Sequence, residues 1–200
     1  MTKRPRIILA SGSAIRAAIL DGAGVPFEVV RPDVDEDAIK RAALQDGVDL
    51  EDLAMMLAEA KCRAVASKTD AIVIASDQIM EFDGRPYDKP ADMAAARARL
   101  IETQGGAHTL INAVVVARNG AVIWRNLDRP RLVMRTLSEA EIDAYLQESG
   151  PEILASVGAY QIEKLGGRLF ERIEGDHFAV LGLALFPLLE VLRREGALAF

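Results

Sequence analysis

Several groups of residues in this chain have the types and spacing to do chemistry. The wholly apolar run Ile7 to Ala10 leads into Ser11-Gly12-Ser13 and then into a helical stretch from Ala14 to about Leu20. A buried strand that feeds a turn of small residues into a helix leaves free backbone N–H groups and a positive dipole end facing outward, which is an anion site in physical terms. Arg16 falls in the first turn of that helix, where a cation is unfavourable against the dipole; an anionic ligand would remove the conflict. An ordinary N-cap by Ser13 beside a solvated Arg16 accounts for the same residues.

Lys61 is the sharper feature. At about 100° per residue it falls on the apolar stripe of a helix, between Ala54, Leu57 and Val65, so its ammonium must either snorkel out or meet a negative charge. Asp77 follows the apolar run Ala71 to Ala75 within Ser76-Asp77-Gln78. A carboxylate at the end of a buried strand can hold a divalent ion or orient a water, and an Asx turn is the plainer alternative. Asp33, Asp35, Glu36 and Asp37 are a helix start in the bland reading and hard-oxygen donors for Mg²⁺ in the functional one. Lys89-Pro90 precedes a helix and would by itself be a loop lysine. His108 and His177 are too scattered for a zinc site or a catalytic triad, and His108, near a strand start, reads as a hydrogen-bonded structural histidine. No Walker loop, nucleophile elbow or dinucleotide fingerprint is present.

The elements that must position these groups follow from the same pattern. Helices are expected from about Glu36 to Gln45, Leu50 to Ser67, Pro90 to Thr103 and Leu185 to Arg194. Ser138-Glu139-Ala140-Glu141 is a capping box that starts another. Strands are expected at Ile7 to Ala10, Phe27 to Val30, Ala71 to Ala75, Leu110 to Ala117, Ala121 to Trp124 and Leu132 to Arg135. Asn119-Gly120 and Asp83-Gly84 are hairpin turns. Helices and strands alternate early and hairpins crowd the middle, which predicts a mixed, partly antiparallel α/β sheet flanked by helices.

Composition excludes several classes. The chain has 200 residues, half of them apolar, with 24 basic against 30 acidic side chains and a net charge of -6. That balance disfavours a surface that tracks a nucleic-acid polymer. The single cysteine, Cys62, excludes a disulfide framework and a cysteine-based zinc site. No apolar run reaches membrane-spanning length, and the N-terminal run is too short for a signal segment, so a cytoplasmic protein without membrane partners is expected.

Taken in order, these pieces resemble the Maf family of nucleoside triphosphate pyrophosphatases over nearly the whole chain, read as one Maf-like domain from 1 to 200. The resemblance lies in LASGS-x-x-R at Leu9 to Arg16, VDE at Val34 to Glu36, LAEAK at Leu57 to Lys61, SDQ at Ser76 to Gln78, and DKP at Asp88 to Pro90. It continues in His108-Thr109, GAY-x-I-E at Gly158 to Glu163, and IEGD…VLGL at Ile173 to Leu183. It implies two lobes with a central cleft, a common pairing as a homodimer, a divalent cation (Mg²⁺ or Mn²⁺), and cleavage of a nucleoside triphosphate between its α and β phosphates. Asp77 then matches the proton acceptor. Ser11, Arg16, Glu36, Lys61 and Lys89 match the phosphate and metal site; Arg16, Lys61 and Lys89 would clamp the triphosphate, helped by the helix start at Ser13, and Asp35 or Glu36 would join Asp77 on the metal. Gln78 and Glu163 look like those of the subgroup acting on 7-methyl-GTP, and in this chain both are expected to hydrogen-bond the base edge.

Four positions depart from the family pattern: Ala14 for a proline, Ile15 for the arginine or aromatic linked to base choice, Ala17 for a second basic residue, and Ser156 for a lysine. These losses would weaken the grip on triphosphate or base. They motivate a rival reading as a catalytically silent nucleotide-binding regulator; a phosphomonoesterase is a third.

Overall fold

The computed structural model of the protein describes residues 4–200. In chain order the elements are β1 (Ile7–Leu9), α1 (Ala14–Gly22), β2 (Glu28–Val29), α2 (Glu36–Gln45), α3 (Leu50–Ala66), β3 (Ile72–Phe82), β4 (Arg85–Tyr87), α4 (Met93–Thr103) and β5 (Ala107–Arg118). They continue with β6 (Ala121–Asp128), β7 (Arg131–Met134), α5 (Glu139–Ser149), β8 (Phe170–Glu174), α6 (His177–Val180) and α7 (Leu185–Arg194). The strand order is β2-β1-β3-β5-β7-β8, with β4 paired to β3 and β6 to β5. β1 runs parallel to β2 and β3, while the β3–β4, β5–β6, β5–β7 and β7–β8 pairs are antiparallel. This is the mixed sheet expected.

The chain divides into two compact units, and β3 and β5 each contribute residues to both. The first unit holds the residues up to Gln78 with Ile111–Asp128 and Asp176–Phe200. Its core gathers Leu9, Leu20, Ile72, Ile74, Val114, Val116, Leu188 and Leu192. α7 supplies one stripe to it (Leu185, Leu188, Val191, Leu192), spaced as a helix requires. Ser13 caps α1, its hydroxyl accepting from Arg16 N at 3.4 Å, and Asp35 caps α2, its carboxylate accepting from Ala38 N at 2.9 Å. Asn119 and Gly120 turn β5 into β6 with φ of 51° and 77°, the left-handed pair that a two-residue hairpin needs. α3 buries Leu53, Leu57, Cys62 and Val65. The Cys62 thiol donates to Val73 O at 3.5 Å, and burial pushes its pKa up to about 12.

The strand expected to stop at Ala75 instead runs on to Phe82. Ser76 and Asp77 therefore lie within β3, 0% and 7% exposed, because each finds polar partners inside the fold. An Asx turn at a strand end is thereby excluded for Asp77.

The second unit is Ile79–Leu110 with Arg129–Gly175. β4 folds back on β3 through Asp83-Gly84, and Ser138 and Glu141 form the expected capping box on α5. α4 starts at Met93 and not at Pro90, because the Asp92 carboxylate accepts from Ala95 N at 2.7 Å and sets the boundary there. β8 and α6 were not anticipated from the sequence. His108 is buried, as a structural histidine, with Nε2 2.6 Å from the Tyr160 hydroxyl and its ring edge-on to Phe170. Burial pushes its pKa down to about 4. Gly158 makes room for the Tyr160 ring, which a Cβ there would meet at 2.1 Å.

Candidate active site

The first unit brings α3, β3, the start of α2 and the start of α1 to one cluster of charges. Lys61 projects from the inward face of α3, and its Nζ donates to Asp77 Oδ1 at 2.6 Å and pairs with Glu36 Oε2 at 2.8 Å. The Lys61 and Asp77 side chains are 10% and 9% exposed, whereas Glu36 is 42% exposed. A buried lysine on an apolar stripe is tolerable only with such partners, since an unpaired ammonium there would lose most of its solvation. The two residues whose meeting the functional reading required are therefore in direct contact.

Arg16 does not extend into solvent from the first turn of α1. Its Nε donates to Gly182 O and its NH1 to Ser76 O, both at 2.8 Å, and NH1 lies 3.4 Å from Ser11 Oγ. Burial lowers the Arg16 pKa, and the charges of Asp77 and Glu36 pull it back up. The guanidinium stays charged under these opposing effects because arginine starts so high. The unfavourable dipole position is offset by two carbonyls and two nearby carboxylates.

Gln78 is half-buried, and its Nε2 donates to Ala179 O at 2.9 Å and to Val180 O at 3.2 Å. It thus ties β3 to α6 through its amide hydrogens. Ile15 is partly buried and packs against the first unit's core. Ser11 is buried, and its hydroxyl accepts from Ser13 N at 3.1 Å, which shapes the turn. Lys89 and Glu163 belong to the second unit, both exposed, on the segments before α4 and before β8.

Asn112 was missed, although a lone amide inside the apolar run Leu110-Ile111-Asn112-Ala113-Val114 is a signal in retrospect. It is fully buried in β5, and its Nδ2 donates at 3.2 Å both to Ser76 Oγ and to Asp77 O. Ser76 Oγ in turn donates to Gly182 O at 2.8 Å. The backbone that carries Asp77 is therefore held by Asn112, while Lys61 holds the Asp77 side chain. Gly182 has φ of 97°, and a Cβ there would come within 3.2 Å of Arg16 Nε, so glycine is what lets the arginine reach its carbonyl.

The donor set fits a divalent cation in part. Glu36 and Asp77 converge on one ammonium, so two hard oxygens already face a common point. Mg²⁺ is commonly bound by one or two carboxylates, with phosphates and water completing its shell. The Asp35 carboxylate instead has one oxygen, Oδ1, engaged as the cap of α2, accepting from Ala38 N at 2.9 Å. Among the described residues no group of three or more histidine, cysteine or acidic side chains is assembled as a metal cage.

The profile of Maf-like proteins matches residues 6–195. A nucleoside triphosphate pyrophosphatase of Caulobacter vibrioides is 46% identical over 192 residues, covering 96% of each chain. A 7-methyl-GTP pyrophosphatase of Rhizobium meliloti is 44% identical over 196 residues, covering 98% of each. This chain belongs to the Maf family. Among solved structures, the Ham1 protein of Staphylococcus aureus aligns with TM-score 0.37 and 15% identity over 65% of this chain and 71% of that one. A nucleoside-triphosphatase / dITP/XTP pyrophosphatase of Mycobacterium abscessus aligns with TM-score 0.36 and 18% identity over 75% and 96%.

Proposed function

We propose that this protein hydrolyses the α–β phosphoanhydride of a nucleoside triphosphate, releasing the monophosphate and pyrophosphate. The observation that carries the reading is the buried bridge from Lys61 to Asp77 and Glu36, with Arg16 beside it. A triphosphate brings about four negative charges, and charge grows on the bridging oxygen and the departing pyrophosphate as the bond breaks. Lys61 and Arg16 place cations at that charge, and the N–H groups at the start of α1 add to them. Asp77 orients the attacking water and accepts its proton, while Asn112 and Ser76 fix the backbone from which it acts. Glu36 and Asp77 would hold Mg²⁺ or Mn²⁺, which when bound supplies a Lewis acid to the phosphoryl oxygens.

Gln78 and the name of the Rhizobium meliloti relative favour 7-methyl-GTP as substrate. The homodimer and the cytoplasmic location belong to the same proposal and rest on the family resemblance. Among the described residues, no helix is long and apolar enough to cross a membrane.

The test incubates purified protein with Mg²⁺ and a panel of ordinary and methylated triphosphates, and measures pyrophosphate. Turnover is expected with 7-methyl-GTP foremost, and Asp77→Asn should abolish it while much of the binding persists. Tight binding without release from any nucleotide would replace the enzyme by a nucleotide-binding regulator. Direct release of orthophosphate would point to a phosphomonoesterase.

A further inference from the structure

We infer that Arg31 is a phosphate-binding residue of this site; the inference rests on the triphosphate reading above and adds a residue to it. Of the two cations in this cluster, neither is uncommitted. Lys61 is held by Asp77 and Glu36, and Arg16 by two backbone carbonyls, with those same carboxylates near enough to shift its titration. Two positive and two negative side chains leave the protein's own charges in the cluster balanced, so a highly charged anion gains from one further cation at its edge. A polyphosphate needs positive charge not spent on the protein's own groups.

Arg31 supplies it. β2 ends at Val29, and Val30 N donates to Leu9 O at 3.0 Å, which brings the chain alongside the end of β1. Pro32 then biases Arg31 toward an extended backbone. Its side chain lies along the Ser11-Gly12-Ser13 turn: a Cβ built on Gly12 would sit 3.5 Å from Arg31 Nε and 3.8 Å from its Cγ and Cδ. The arginine stem therefore lies against the open face of Gly12, and the guanidinium stands beside the turn that starts α1. Ser11, on the same turn, is the serine that Arg16 reaches from within the fold. Arg31 itself is exposed and, among the described residues, forms no hydrogen bond or ion pair. A guanidinium fork suits two phosphate oxygens at once, and a site between Arg31 and the α1 N–H groups would receive phosphate oxygens on both sides.

The experiment compares wild type with Arg31→Ala and Arg31→Lys in two assays: steady-state pyrophosphate release from a triphosphate with Mg²⁺, and calorimetric titration with inorganic tripolyphosphate. Thermal unfolding confirms that the variants are folded, as expected for an exposed side chain. Loss of one charge-assisted contact predicts about a tenfold weaker tripolyphosphate affinity and about a tenfold fall in kcat/KM, mainly through KM, for Arg31→Ala. Arg31→Lys should fall between wild type and alanine. If wild type turns over substrate and Arg31→Ala matches it in both assays, the role of Arg31 is refuted while the activity stands. If wild type releases no pyrophosphate, the activity fails on its own. The titration then still decides: weaker tripolyphosphate binding by Arg31→Ala upholds the inference, and equal binding, or none to wild type, overturns it.

Discussion

Replacing Lys61 with Met keeps most of the side chain's length and its packing on α3 but deletes the charge that Asp77 and Glu36 share. Removing one partner of a buried pair strands the other, at a cost of about 3–5 kcal/mol. Asp77, with a side chain 9% exposed, bears most of that cost, whereas Glu36 at 42% can turn to solvent and contributes little. The low end of the range, about 3 kcal/mol, is therefore expected, and it lowers Tm by about 6–12 °C for a chain of this size. The decisive measurement is a double-mutant cycle in urea at neutral pH with Lys61→Met, Asp77→Asn and both together. Once Asp77 is neutral, loss of the lysine should matter much less, so the double variant should be more stable than the sum of the singles by about 1–3 kcal/mol. Additivity within about 0.5 kcal/mol would mean that the two groups do not interact as the 2.6 Å contact requires.

Three further outcomes follow from other parts of the fold. His108 is held neutral, with a pKa near 4 in the fold against an ordinary 6.5. As pH falls through 6.5 the unfolded chain takes up this proton first, so stability is complete above that value and declines by about 3 kcal/mol towards pH 4. Urea midpoints across that range should slope in wild type and lose this component in His108→Phe; identical slopes would refute it. Gly182→Ala should cost about 1–3 kcal/mol through its φ of 97° and lower kcat/KM by pushing Arg16 from its carbonyl, although no charge is changed; unchanged Tm and turnover would contradict this. Ser138→Ala removes the hydroxyl half of the α5 capping box and should cost about 1 kcal/mol, read as a Tm fall of about 2–4 °C.

The sequence made legible those features whose cause is local. Ser13, Asn119-Gly120 and the Ser138 capping box act within a few residues, and each is found where the spacing placed it. Lys61 was legible as a problem, a charge on an apolar stripe, and the fold supplies its solution. What escaped depends on partners distant along the chain. Ser76-Asp77-Gln78 reads as the end of a strand because polar residues usually leave the core. Here Lys61, Gly182, Ala179 and Asn112 satisfy them, and the strand continues. β8 alternates too weakly to stand out, since every residue of Phe170–Glu174 is exposed or only partly buried. α6 spans four residues, too few for a periodic signal. Asp35 and Glu36 are neighbours in sequence with different tasks, one closing a helix end and the other reaching Lys61, and only the backbone turn between them separates those roles.

The sole thiol of the chain sits one residue after Lys61, sealed under α3 and held protonated by its surroundings. An alkylating reagent can reach it only when that helix lifts away, so the rate of labelling becomes a clock for the opening of the segment that bears the central lysine. Any polyanion gripping Lys61 should slow the clock, which provides an occupancy gauge that needs no turnover and no added dye.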